Sequence, residues 1–369
     1  MPIEVESPEQ LGYDTITNNL SESSVADRRL SDLGLDLDLD SLVLAYGDHL
    51  GDPTLRQAVA AGGEGIDPDH VIVTPGAATA LFCVATALLD RGDHAVVVRT
   101  NYATNLETPR AIGADLDIVD LRWERGWRLD VDEIAAAVRP GTTRLISVTT
   151  PHNPTGTLLS DRDLRRLVGI AEQAEAVLLV DETYRDLTHT GDRTPLAATL
   201  SPLVVSVSSM SKAYGLPGLR TGWAITTDPQ LGETLLAAKE QVVICGSTID
   251  EHVSGRVLSR RKRVLPPIVA DVRERLNELN LGDVQVQAFG SDRDLLIRIE
   301  GQEGGDNAEQ SAVEKARLAL ENDYDFRRVE VVGPTVSSEL AWSGTMGVVA
   351  SMIAMLIYIW IRFEWQFGV

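Results

Sequence analysis

The stretch Val204-Val205-Ser206-Val207-Ser208-Ser209-Met210-Ser211-Lys212-Ala213-Tyr214-Gly215-Leu216-Pro217-Gly218-Leu219-Arg220-Thr221-Gly222-Trp223 decides how this chain folds and what chemistry it can host. A β-branched apolar run up to Val207 reads as a buried strand. It ends in small hydroxyls, presents Lys212, and turns through Gly215-Leu216-Pro217-Gly218 to Arg220, eight residues on. Hydroxyls and a planar guanidinium are anion ligands, and the amine beside them is a potential nucleophile. The segment therefore predicts an anchored anion site next to a reactive lysine.

Outward from this strand the pattern repeats. Apolar runs at 70–74, 94–98, 117–121, 144–149, 177–180 and 203–207 read as buried strands, with helical segments at 78–89, 106–112, 131–138 and 162–174 between them. Alternation of this kind predicts an α/β layer with a mainly parallel sheet, whose ligands sit at the carboxyl ends of the strands. The turn-rich loop Tyr46 to Pro53 precedes a helix with Leu55, Ala58 and Val59 on one face. Residues 1–45 are irregular and acidic, with a Leu-Asp repeat from Leu33 to Asp40 that reads as a surface segment or short helix. Past Trp223, helices are expected over 231–240 and from the basic segment Arg260-Arg261-Lys262-Arg263 to 279. Beyond about residue 281 the texture changes to a small α+β segment: strands at 284–288, 294–299 and 329–332, a Gly-rich loop at 301–306 and an amphipathic helix at 309–321.

A chain of 369 residues can build more than one domain. Its formal net charge of −22 and pI near 4.6 repel a phosphate backbone, which argues against nucleic acid as a partner. Lys212, Lys239, Lys262 and Lys315 are the whole lysine complement, a balance that looks like a protein kept solvated in high salt. Cys83 and Cys245 lie far apart in apolar contexts, so a disulfide scaffold is not expected, and the acidic start lacks the order of a signal peptide. The first part of the chain therefore reads as cytoplasmic. No feature indicates a metal.

Several separated motifs accompany the lysine. Gly76-Ala77-Ala78 closes a strand and opens a helix, where backbone N–H groups favour an anion. Tyr102 follows Thr100-Asn101 after another strand. Pro151-His152-Asn153-Pro154-Thr155-Gly156 holds an asparagine whose backbone is restricted by the proline after it. Asp181 ends an apolar strand, where a carboxylate is costly without a cationic partner, and Tyr184 stands three residues later.

In this order and spacing, roughly Leu11 to Leu279 resembles the class I/II aminotransferases, the fold type I enzymes of pyridoxal 5'-phosphate. The resemblance implies a PLP-dependent transferase-like large domain, and it assigns roles. Lys212 becomes the Schiff-base lysine and proton shuttle, Asp181 the partner of the pyridine nitrogen, and Asn153 and Tyr184 the ligands of the phenolic oxygen. Gly76, Ala77, Ala78, Ser209 and Arg220 become phosphate ligands, with Ser211 a further donor, and Tyr102 stacks on the ring. Asn101 departs from the family pattern, which has proline before that aromatic. His152 reads as a bystander with nothing nearby to orient it, and Glu182 as structural. Tyr46 matches a tyrosine that reaches the neighbouring subunit's phosphate, which implies a homodimer. The implied reaction moves an amino group between an amino acid and a 2-oxo acid. A lyase or decarboxylase of the same fold is one alternative, because the cofactor motifs do not choose the bond that breaks.

The C-terminal part carries a second resemblance. Phe289-Gly290, Leu295 to Glu300, Val332-Gly333-Pro334-Thr335-Val336-Ser337-Ser338-Glu339-Leu340 and Tyr358 to Trp365 are similar to the SecF protein-export membrane subunit. A fragment of a SecF-like protein-export membrane component is therefore the other alternative for function. Residues 344–361 carry no charge and are flanked by Trp342, Arg362 and Trp365, which predicts a transmembrane helix and membrane attachment through 343–361, with a buried core helix as the alternative. The expected segments are an N-terminal stretch 1–45, a PLP-binding large domain 46–250, a helical remnant 251–281, a SecF-like extracytoplasmic fragment 282–340 and a membrane helix 341–369. Such a chain reads as a fusion of two truncated genes, or as an artefact of assembly or gene calling, because the two parts imply opposite sides of a membrane. The aminotransferase-like part stops before the small domain that carries the substrate-carboxylate arginine in the family, so weak or absent turnover is expected.

Overall fold

The computed structural model describes residues 23–25, 27–188, 194–265, 272–273, 275–289, 291–300, 302 and 306–321, with Met346, Ser351, Met352 and Met355. The chain divides into two compact units, Met1–Pro266 and Pro267–Val369.

The first unit is built on a seven-stranded sheet. Its strands are β1 (Val71–Thr74), β2 (His94–Arg99), β3 (Asp115–Asp120), β4 (Thr143–Thr149), β5 (Val177–Asp181), β6 (Val204–Ser209) and β7 (Gly222–Ile225), in the order β1-β7-β6-β5-β4-β2-β3. The pairs β3·β2, β2·β4, β4·β5 and β5·β6 are parallel, and β7 runs antiparallel between β6 and β1. Strand β7 is absent from the sequence expectation. It is four residues long and follows β6 through a loop of twelve residues, so it lacks the α-helical crossover that precedes β3, β4 and β5.

Helix α1 (Pro53–Ala60) precedes the sheet, α2 (Ala77–Leu88), α3 (Ala103–Ile112), α4 (Val131–Ala137) and α5 (Asp161–Ala174) lie between strands, and α6 (Pro229–Glu240), α7 (Thr248–Leu258) and the single turn α8 (Arg261–Val264) follow β7. The caps explain several starts. Asp52 and Ser160 accept from the amides of Leu55 and Asp163, and Asp228 accepts from Gln230 and Leu231. Helix α7 starts on Ser247, which caps Asp250. It falls largely within the expected helical stretch 251–281 and starts three residues before it, at Thr248.

Alternation along the strands feeds two faces of one sheet. Ile72, Ala95, Leu145, Leu179, Val205 and Ala224 pack on α2 and α6. Val96, Val98, Ile146, Val148, Leu178, Val180 and Val204 pack on α4 and α5. Both sides are covered, so β5 is buried at every position and β2 at all but Arg99, and they read as continuous apolar runs. Val71, Val73, Trp223 and Ile225 join α1 and α7 in a third cluster, which also takes Met210, Ala213 and Tyr214 from the lysine loop.

The second unit contains the antiparallel pair β8 (Val284–Phe289) and β9 (Ser291–Ile299), and helix α9 (Asp306–Leu320). Ala312, Ala316 and Leu320 pack with Val284 and Val286, and with Val272 and Leu276. No helix among the described residues is long and apolar enough to cross a membrane. The expected strand 329–332 lies outside the described residues, and so does the expected apolar helix 344–361 apart from four positions.

Candidate active site

Register across the sheet aligns the strand ends that carry the motifs. Thr149 on β4 is level with Asp181 on β5, and Asp181 with Val207 on β6. Ser209 pairs with Gly222, and Gly222 with Thr74. Neighbouring strands lie roughly 5 Å apart, so residues separated by more than a hundred positions share one edge.

One corner of that edge has the donor set of a phosphate site. Gly76 precedes α2 at φ +80°, with no side chain capping the helix, so the first N–H groups of α2 lack intrahelical partners. Arg220 packs directly on it: a Cβ at Gly76 would stand 2.6 Å from the Arg220 Nη2. The backbone at Gly222 approaches Gly76 so closely that a Cβ there would be 2.4 Å from the Gly76 carbonyl carbon. Only glycine permits this contact, which brings Arg220 back beside the N-terminus of α2. The loop between Ser209 and Gly222 is closed by Met210 N–H donating to the Thr221 carbonyl at 2.9 Å. Ser209, 1% exposed, accepts from the Ser211 amide at 3.3 Å.

Next to this corner sits Asp181. It is buried and accepts from the Thr183 amide at 3.0 Å, and among the described residues no cation lies against it. Burial pushes its carboxyl above the ordinary carboxylate value. Beyond it, Asn153 Nδ2 donates to Tyr184 Oη at 2.9 Å, and Tyr184 Oη lies 2.8 Å from Ser23 Oγ. Lys212 is half-buried, and its carbonyl accepts from the Val25 amide at 3.1 Å.

Gly76, Arg220 and Ser209 thus come together, as do Asn153 and Tyr184, with Asp181 and Lys212 on the same edge. Tyr102 heads α3 and is exposed, and Tyr46 is 89% exposed before α1; neither is joined to that group by a hydrogen bond. The expectation that nothing orients His152 is corrected. Its Nε2 lies 2.7 Å from the Thr100 carbonyl and its Nδ1 2.9 Å from Thr155 Oγ1, and burial lowers its pKa. It therefore ties the Asn153 loop to the loop before Tyr102. Glu182 is a structural group, as expected: its carboxylate lies against the Ala197 amide and 3.5 Å from Arg185 Nε.

Sequence reading missed four supports. Asn101 Oδ1 accepts from Thr149 Oγ1, Asn105 Nδ2 and the Tyr102 amide, while its Nδ2 donates to the Val98 carbonyl. Buried Tyr214 donates to Asp186 Oδ2 at 2.6 Å and links the lysine loop to the Tyr184 loop. Ser23 arrives from 161 positions away and Gly222 from a strand that was not expected, so neither had a local signal. Asn101 had one, its departure from proline.

These groups fit a phosphate-bearing pyridine: an arginine and a helix N-terminus for the phosphate, a buried carboxylate without a cation for a ring nitrogen, and an amide and a phenol for a ring oxygen. Comparison with known proteins agrees. The chain is 35% identical to capreomycidine synthase from Streptomyces vinaceus over 64% of its own length and 60% of that protein's. The crystal structure of a PLP-dependent aminotransferase from Streptococcus suis superposes with a TM-score of 0.67 at 26% identity, covering 73% of this chain and 74% of that one. The C-terminal part is 48% identical to protein translocase subunit SecDF from Brucella abortus over 26% of this chain, which is 13% of that subunit. The chain thus spans less than two thirds of either curated relative. Residues 312–369 match the family of protein export membrane protein SecD/SecF, C-terminal. Residues 22–280 match aminotransferase class I and II, and with that match and the strand-end geometry the chain belongs to that family, with pyridoxal 5'-phosphate as its cofactor.

Proposed function

We propose that residues 22–280 form a PLP-dependent aminotransferase unit that moves an amino group between an amino acid and a 2-oxo acid. The observation that carries this reading is Asp181, a buried carboxylate with a raised pKa and no cation beside it among the described residues. A protonated pyridine nitrogen supplies the missing charge, and the cofactor held that way acts as an electron sink. Arg220, Ser209 and the N-terminus of α2 at Gly76, Ala77 and Ala78 hold the phosphate, and Asn153 and Tyr184 orient the phenolic oxygen. Tyr102 covers the ring. Lys212 Nζ would be the amine that holds the cofactor and would supply the base for the proton at the substrate α-carbon.

The test is an isotope-labelled amino donor with an unlabelled 2-oxo acid and the purified chain. Label in the new amino acid supports transfer. Release of CO₂ or of pyruvate from the donor favours the decarboxylase or lyase reading. The aminotransferase match ends at residue 280 and residues 312–369 match a different family model, and we expect slow turnover; a typical aminotransferase rate would refute this.

The same reading makes the unit a homodimer. Val43, Leu44, Val242 and Ile244 are exposed apolar side chains on two loops joined by Thr248 Oγ1 donating to the Ala45 carbonyl at 3.0 Å, and Tyr46 lies among them. Sedimentation as a monomer at micromolar concentration would oppose it. The proposed segments are 1–45, a PLP-binding domain 46–250, a helical stretch 251–281, a SecF-like fragment 282–340 and a membrane-attaching stretch 341–369. The PLP domain is placed in the cytoplasm. Extraction of the chain by alkaline carbonate would count against membrane attachment.

A further inference from the structure

Helix α7 presents a recess of about 350 Å³ on the first unit, closed by the N-terminal segment and the start of α1. Its lining combines opposite charges with one aliphatic side chain: Arg256 and Arg260 from α7 and the residues after it, Asp36 and Leu35 from the segment, Thr54 from α1, and His252. None of these belongs to the strand-end site. Among the described residues neither the exposed Arg260 guanidinium nor the exposed Thr54 hydroxyl has a hydrogen-bond or ion-pair partner. Arg256 is held at the rim, 3.4 Å from Asp38. Asp36 uses one oxygen to accept the Asp38 amide at 3.1 Å, which fixes its carboxylate in place. His252 lies 2.7 Å from the Leu37 carbonyl, which anchors the segment over the helix.

We propose that this recess binds a free aliphatic α-amino acid as its zwitterion. A carboxylate meets Arg260 and Thr54, an ammonium meets Asp36, and the side chain lies on Leu35. The two charges of the ligand answer the two signs of the wall, which a plain anion would not, because Asp36 and Asp38 repel it. The size is at the lower end for small-molecule sites. The proposal does not depend on the aminotransferase reading, since it uses no residue of that site.

The experiment is equilibrium dialysis of the full-length chain against radiolabelled L-leucine. We expect one saturable site per chain that leucine methyl ester, lacking the carboxylate, and isocaproate, lacking the ammonium, do not displace. Arg260→Gln and Asp36→Asn should each weaken it at least about tenfold, as loss of one charged partner does, while the bound cofactor's absorbance spectrum stays unchanged. Absence of saturable uptake, or uptake insensitive to both substitutions, would overturn the proposal. So would displacement by inorganic phosphate together with tighter binding in Asp36→Asn, which marks a simple anion site.

Discussion

The two units of this chain solve the same packing problem at different scales. The first covers both faces of a seven-stranded sheet with helices, and its motifs fall where the strands end. The second, among the described residues, packs one helix with one antiparallel pair and contains eight buried apolar residues in a single cluster. A parallel sheet buried on two sides places loops from distant parts of the sequence along one edge, which is what a cofactor site needs. A hairpin with one helix offers no such edge. The difference explains why the chemistry-bearing residues of the first unit converge.

The largest effect expected is on the first unit. Lys212→Ala should lower amino transfer about a thousandfold or more, roughly 4 kcal/mol of barrier. Borohydride reduction followed by peptide mass analysis should find the cofactor on Lys212 in the parent chain and nowhere in the variant. Modification of another lysine would break the assignment. The complementary test damages the second unit only. Ala316→Asp places a charge in its small core and should destabilise that unit by about 3 kcal/mol. Hydrogen exchange should then rise across β8, β9 and α9 while cofactor affinity is unchanged; a parallel loss of cofactor would show that the units are coupled.

A smaller effect is expected from Asp181→Asn, with cofactor binding weaker by about 2 kcal/mol in a titration. In the cofactor-free chain Asp181 gives stability a pH dependence. Asp181 has a folded pKa raised above its ordinary 3.8, so the folded state holds the proton longer and stability falls as pH rises through that window. Asp181→Asn should remove this fall and raise the cofactor-free melting temperature at neutral pH. Gly222→Ala should cost about 1.5 kcal/mol, because the new methyl meets the Gly76 backbone, and it should weaken phosphate competition against the cofactor. The smallest effect belongs to His152→Gln, about 1 kcal/mol at neutral pH. His152 has a folded pKa below 6.5, so its support is present above that pH and is lost as pH falls through it. A melting-temperature profile that keeps its acid slope in the variant would assign the slope to another group.

Much of this molecule is written locally. The β-branched run at 204–207, the hydroxyls after it and the spacing from Ser209 through Lys212 to Arg220 set a strand and a loop within twenty residues, because backbone preference and short-range turn chemistry act over that distance. The alternation of apolar runs with helical stretches likewise determined an α/β layer, and the change of texture near residue 281 lies close to the end of the aminotransferase match at residue 280. Tertiary structure alone decided that β7 inserts antiparallel between β6 and β1, that Gly222 lets Arg220 return to Gly76, and that Ser23, Asn101 and the Tyr214–Asp186 bond brace the site. Each of these depends on which strand ends become neighbours. Register and close backbone approach are properties of the assembled sheet, and no single stretch of sequence contains them.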